Sequence, residues 1–171
     1  MAGFATSSFG QGQVTLGNNS STLIRVASTG TAVAVGSTSF QLLAGATAGS
    51  LSAVGPVVGT SSFVGRIANT VVTIDAVPAG TLAFFQIQAW SSSFASYAAA
   101  LAASIAGDQN ALVGTSIVFS ATTSPNIQPP PTPITLAGLY PGFSIAPVPE
   151  PSTIALGIIG AGSLLFLRRK K

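Results

Sequence analysis

Between residues 81 and 90 the side chains alternate with a strict period of two. Ala83, Phe85, Ile87 and Ala89 fall on one face, and Gln86, Gln88 and Trp90 fall on the other. A helix would scatter these positions around its axis, whereas a strand sends successive side chains to opposite sides. One face is destined for a core and the other for water or a second surface. Shorter runs repeat the pattern at Val14 and Leu16, at Ile24 and Val26 around Arg25, and over 32–35, 40–43, 71–74 and 134–140. Over 115–122 it places Ile117, Phe119 and Ala121 inward. Turn-forming residues separate the runs at Gly17-Asn18-Asn19, Gly30, Gly36, Gly45 and Pro78-Ala79-Gly80. Residues 44–62, rich in Gly, Ala and Ser, have the weakest pattern and read as a long loop with one poorly defined strand. Residues 94–105 predict a short Ala-rich helix, capped near Ser93 and ended at Gly107. The prolines of 125–133 hold extended loop. Eight or so short strands and one short helix predict a mainly β chain, a single β-sandwich of Ig-like or jelly-roll-like form over 11–144. No fixed internal period supports a solenoid.

Charged residues make up only 5% of the chain, against roughly 25% in ordinary soluble domains. The formal net charge of +3 comes from the tail, because before Glu150 Arg25 and Arg66 balance Asp75 and Asp108. A nucleic-acid partner needs a clustered basic face, and the body has none. There is no Cys and no His. Disulfides, thiolate sites, histidine bases and most zinc or copper sites are thereby excluded. Asp75 and Asp108 sit at turn positions, as carboxylates commonly do. Two are too few for a convincing calcium cage, and as a glycosidase pair they would need to be brought together. The chain is expected to be no enzyme and to hold no metal or cofactor.

Trp90 is the best binding candidate. By strand parity it shares a face with Gln86 and Gln88, so a sugar ring stacked on the indole would have amides for its hydroxyls. The alternative is that Trp90 packs on Phe94 or Tyr97 and closes one end of the core. Arg25 and Arg66 either pair with the two Asp residues or stand in water. Asn18 and Asn19 each begin an Asn-x-Ser sequon, a weak pattern on its own. Abundant Ser and Thr leave room for O-glycosylation.

The last residues have three parts in a fixed order. A Pro-rich linker, 145–151, carries Pro149-Glu150-Pro151; an uncharged apolar run fills 152–167; Arg168, Arg169, Lys170 and Lys171 close the chain. Such a run ended by cations predicts a transmembrane helix with its basic end in the cytoplasm and the body on the other side. Sixteen helical residues reach about 24 Å, short of the roughly 30 Å hydrocarbon core. Snorkelling of the four cations covers the gap. A short span rich in Gly suits a stop-transfer signal held briefly; a simple tail anchor is the alternative. Residues 1–10 resemble the end of a signal peptide without its basic start, so the true start is expected upstream.

Triplet, apolar helix and basic end together resemble the PEP-CTERM sorting signal of exopolysaccharide-producing bacteria. The resemblance implies recognition of Pro149, Glu150 and Pro151 by an exosortase, a membrane-embedded Cys protease/transpeptidase. It further implies a single-pass stage in the inner membrane, then release to the cell surface or extracellular matrix, with exopolysaccharide as a candidate partner. The expectation is a non-catalytic exported protein. A carbohydrate-binding or adhesion module on the same tail, using Trp90, Gln86 and Gln88, is the alternative.

Overall fold

The computed structural model describes residues 11–124 and 132–149. The elements are β1 (Gln11–Leu16), β2 (Arg25–Val26), β3 (Thr38–Gly45), β4 (Ser52–Gly59), β5 (Thr70–Pro78), β6 (Leu82–Ser91), α1 (Tyr97–Ile105), β7 (Val113–Thr115), β8 (Phe119–Thr122), β9 (Ile134–Thr135) and β10 (Ser144–Ile145). Three sheets result. The largest runs β4-β3-β6-β7 with β8 also paired to β6, the second runs β5-β1-β9, and the third is the pair β10-β2.

β6 is the spine of the largest sheet. It pairs antiparallel with β3 from Thr38 opposite Ser91 to Gly45 opposite Phe84. On its other edge β7 takes 88–90 and β8 takes 82–85. The alternation read in 81–90 holds, since Ala83, Phe85, Ile87 and Ala89 are fully buried. On β3, Phe40, Leu42 and Ala44 lie directly opposite Ala89, Ile87 and Phe85 and are buried too. Val14 and Leu16 of β1 and Val72 and Ile74 of β5 join the same apolar cluster. Each such side chain removed from water stabilises the fold by about 1.5–3 kcal/mol before entropy is charged against it. Phe119 links two further rings, 5.8 Å from Phe85 and 5.0 Å from Tyr140. The Tyr140 hydroxyl donates to the Gly17 carbonyl at 3.0 Å, and burial pushes its pKa well above the usual phenol value.

The expected β-sandwich is corrected. No sheet among the described residues closes into a barrel or sandwich. β2, β9 and β10 have two residues each, and the β1–β9 and β10–β2 pairs are parallel. Alternation over 22–26 marks a buried face, and over 134–140 only Leu136 and Tyr140 are buried; in neither stretch does it say what satisfies the backbone. Here loops do much of that. Ile24 donates to the Gly65 carbonyl at 3.0 Å, and Leu136 to that of Thr15 at 3.0 Å. The strand expected over 115–122 is likewise two short ones. Ser116 interrupts it, its hydroxyl accepting from the Ile87 N–H at 2.9 Å and donating to the Ile117 carbonyl at 2.8 Å. Ile117 is turned outward, 58% exposed. Residues 44–62 hold more order than their composition promised, because β4 pairs with β3 through a bulge between Phe40 and Leu42. As an edge strand β4 tolerates Pro56, and Gly55 has a φ of 66°. There β4 meets β5, and a Cβ at Gly55 would lie 2.7 Å from a Val72 methyl.

The helix starts later than expected. Ser96, not Ser93, is its cap, with the side chain accepting from the Ala99 N–H. At nine residues α1 spans about 14 Å, and no helix among the described residues is long and apolar enough to cross a membrane. Nothing among the described residues meets the expected transmembrane helix, or the single-pass inner-membrane location with a cytoplasmic C-terminus that followed from it. The run 152–167 lies outside the described residues, as do residues 1–10, Glu150, Pro151, Arg168, Arg169, Lys170 and Lys171.

Candidate functional site

The stretch leading to the Pro-Glu-Pro triplet is not a free linker. β10 pairs in parallel with β2, Ser144 opposite Arg25 and Ile145 opposite Val26. Arg25 donates to the Phe143 carbonyl at 3.0 Å and Ala27 to that of Ile145 at 2.9 Å. Ala146 then crosses to β7, where Val113 donates to its carbonyl at 2.9 Å and receives its N–H at 3.0 Å. Two residues on, the Val148 N–H donates to Ser104 Oγ at 2.6 Å. Ser104 is fully buried on α1. Gly114 makes the approach possible. A Cβ there would collide with the Ser144 carbonyl oxygen and come within 3.2 Å of the Ile145 Cα. Pro149, the first triplet residue, is exposed immediately beyond the last docked residue.

Val148 also packs into a small second core with Trp90, Ala100, Val113, Phe94, Tyr97 and Leu101. Trp90 keeps the parity read from the sequence, standing opposite Ser39 on the face of Gln86 and Gln88. It is nonetheless 2% exposed, because α1 and Val148 lie over that part of the face. Its indole N–H donates to the Phe94 carbonyl at 3.0 Å, and Tyr97 meets it edge-on at 6.4 Å. Burial raises the Tyr97 pKa as well.

Beside this core is an open groove of about 300 Å³, lined in part by Gln41, Val57, Gln88, Trp90 and Tyr97. Gln41 and Gln88 are cross-strand partners. The Gln41 amide donates to the Val54 and Gly55 carbonyls at 2.9 and 3.1 Å. Gln86 is engaged elsewhere, donating to the Ser116 carbonyl at 3.0 Å. The structure thus brings Gln88 and the edge of Trp90 together and leaves Gln86 apart.

Residues 147–171 match the PEP-CTERM protein-sorting motif. The PEP-CTERM motif implies processing by an exosortase, a membrane-associated enzyme. Its first two residues, Pro147 and Val148, belong to the docked segment just described, so the signal and the fold share residues. Comparison with curated proteins and with solved structures finds no match.

Several of the remaining polar residues upstream of the PEP-CTERM motif hold structure together. Asp75 is exposed. Asp108 is also exposed and accepts the Asn110 N–H at 2.9 Å in a turn. Among the described residues no three His, Cys, Asp or Glu side chains gather into a metal-binding group. Arg25 donates to the Gly30 carbonyl at 2.8 Å, and Arg66 lies over the Phe63 ring at 5.8 Å. Sequence reasoning missed Asn18 as a tie between distant loops. It is 5% exposed. Its amide donates to the Thr22 and Gly65 carbonyls at 2.7 and 2.9 Å, while its oxygen accepts the Ile67 N–H at 2.8 Å. The Gly-Asn-Asn turn signal located the residue but carried nothing about partners 47 and 49 positions away.

Proposed function

We propose that the chain is a non-catalytic protein exported to the cell surface or extracellular matrix and delivered to an exosortase-type protease/transpeptidase by its PEP-CTERM tail. One observation carries the reading: the match over 147–171, within which Pro149-Glu150-Pro151, the uncharged run 152–167 and Arg168, Arg169, Lys170 and Lys171 stand in the required order. Pro149, Glu150 and Pro151 serve as the recognition triplet. Prolines on both sides of Glu150 disfavour helix there and leave an extended peptide with one charge to read. The four cations form the basic end of the signal. Absence of Cys and His from the whole chain supports placing the nucleophile and base of the sorting reaction on the partner. Residues 11–144 are the cargo. In the producing cell, deletion of 147–171 should abolish processing and surface delivery. Unchanged processing and fractionation would overturn the reading.

A carbohydrate-contact role for the cargo has one observation in its favour, the groove in which Gln88 adjoins the Trp90 edge and Tyr97. Gln88→Ala is the informative variant, since Gln88 is only half-buried. It should weaken binding to the cell's own exopolysaccharide by about tenfold, the value of one good hydrogen bond at a desolvated contact. Failure of the unaltered protein to bind that polysaccharide would remove this second role.

A further inference from the structure

We infer that Ser104 and the edge of β7 form a clasp on residues 146–148, and that this clasp must open before the sorting triplet is read. The inference rests on the sorting reading above and adds a step to it. An enzyme that reads an extended peptide bonds to its backbone N–H and carbonyl groups. In the folded chain those groups of Ala146, and the N–H of Val148, are already bonded to Val113 and Ser104. Reach argues the same way. Glu150 is two residues beyond Val148, so it extends at most about 7 Å from the clasp. A cleft that recognises Glu150 therefore meets the body itself unless the clasp releases.

The clasp is built to be openable. Its hold on 146–148 is two backbone bonds at Ala146, one hydroxyl at Val148 and a half-buried Val148 side chain, while Ile145 stays anchored to β2 and the main core. Segments held by so few contacts open at a free energy well below that of global unfolding. Processing then proceeds in proportion to the fraction of molecules with the clasp open. Ser104 is in these terms a positioning residue. Its side chain is fully buried and accepts the N–H of Val148, the residue before the triplet, so it acts only by holding that segment.

Two measurements on the full-length chain test this. In the first, amide exchange of the purified protein should find Ala146 and Val148 protected. Ser104→Ala should speed exchange at Val148 by roughly tenfold while β3 and β6 stay slow. Free-peptide exchange at Val148 in the unaltered protein would end the proposal.

The second is the processing rate in the producing cell. Ser104→Ala and Gly114→Ala, which forces Ser144 and Ile145 off β7, should each be processed roughly five- to tenfold faster. Val72→Ala, which loosens the main core where β5 meets β4, should leave the rate unchanged; equal acceleration by it would overturn the clasp. Glu150→Ala separates the two readings. If it blocks processing while the Ser104 and Gly114 variants run at the normal rate, the clasp is wrong and the sorting reading stands. If Glu150→Ala is processed normally, both fall.

Discussion

Asn18→Ala should destabilise the body by about 3–5 kcal/mol, among the largest effects of any single substitution away from the apolar core. The side chain makes three hydrogen bonds, to the carbonyls of Thr22 and Gly65 and from the N–H of Ile67. Truncation leaves the Thr22 carbonyl and the Ile67 N–H without partners where water has little access, while the Gly65 carbonyl keeps the Ile24 N–H; each orphan costs about 1–3 kcal/mol. Asn18→Asp should be nearly as damaging, because it keeps the acceptor for Ile67 but turns a carboxylate oxygen towards two carbonyls. Urea unfolding measures the loss, and amide exchange over 60–67 locates it. A loss below about 1 kcal/mol would show that other contacts hold this loop. Glycosylation at Asn18 is incompatible with the same geometry, since both amide hydrogens are engaged inside the fold.

Trp90→Ala should cost a similar amount, about 3–5 kcal/mol. It removes the central side chain of the second core and the indole bond to Phe94. Its consequences are directional: α1 loses the surface it packs on, and Val148 loses a neighbour. Loss of glycan binding in that variant therefore reports loosening as much as contact, which is why Gln88 is the better probe. Trp90 is the chain's single tryptophan, so its emission reports this packing directly. Emission should be that of an apolar surrounding in the native protein and should shift to the red as α1 unfolds. Solvent-like emission from the native state, or an unfolding midpoint unchanged in Trp90→Ala, would refute the packing.

Much of the local structure was legible from spacing. The 81–90 pattern placed Ala83, Phe85, Ile87 and Ala89 inward, and they are the buried row of β6. Strand alternation is a property of adjacent residues, so no knowledge of neighbours is needed to read it. Burial of Trp90 was not legible in the same way. Parity set its face correctly, but exposure of that face depended on whether α1 and residue 148 would lie over it. The break at Ser116 escaped for a related reason: a hydroxyl that completes a sheet by bonding to Ile87 looks, in one dimension, like any serine in a polar alternation.

What the sequence by itself determined is the sorting signal and the identity of the core-facing residues. A signal read by another protein as a linear peptide must be written in consecutive residues, and strand periodicity is equally local. Tertiary structure alone decided that, among the described residues, the strands divide into three sheets without closing into a sandwich, and that Asn18 ties three backbone groups of two loops. It also decided that the chain just ahead of the triplet is held by Ser104 and Val113. Each of these depends on hydrogen-bonding groups far apart along the chain, whose meeting is set by how the whole core packs.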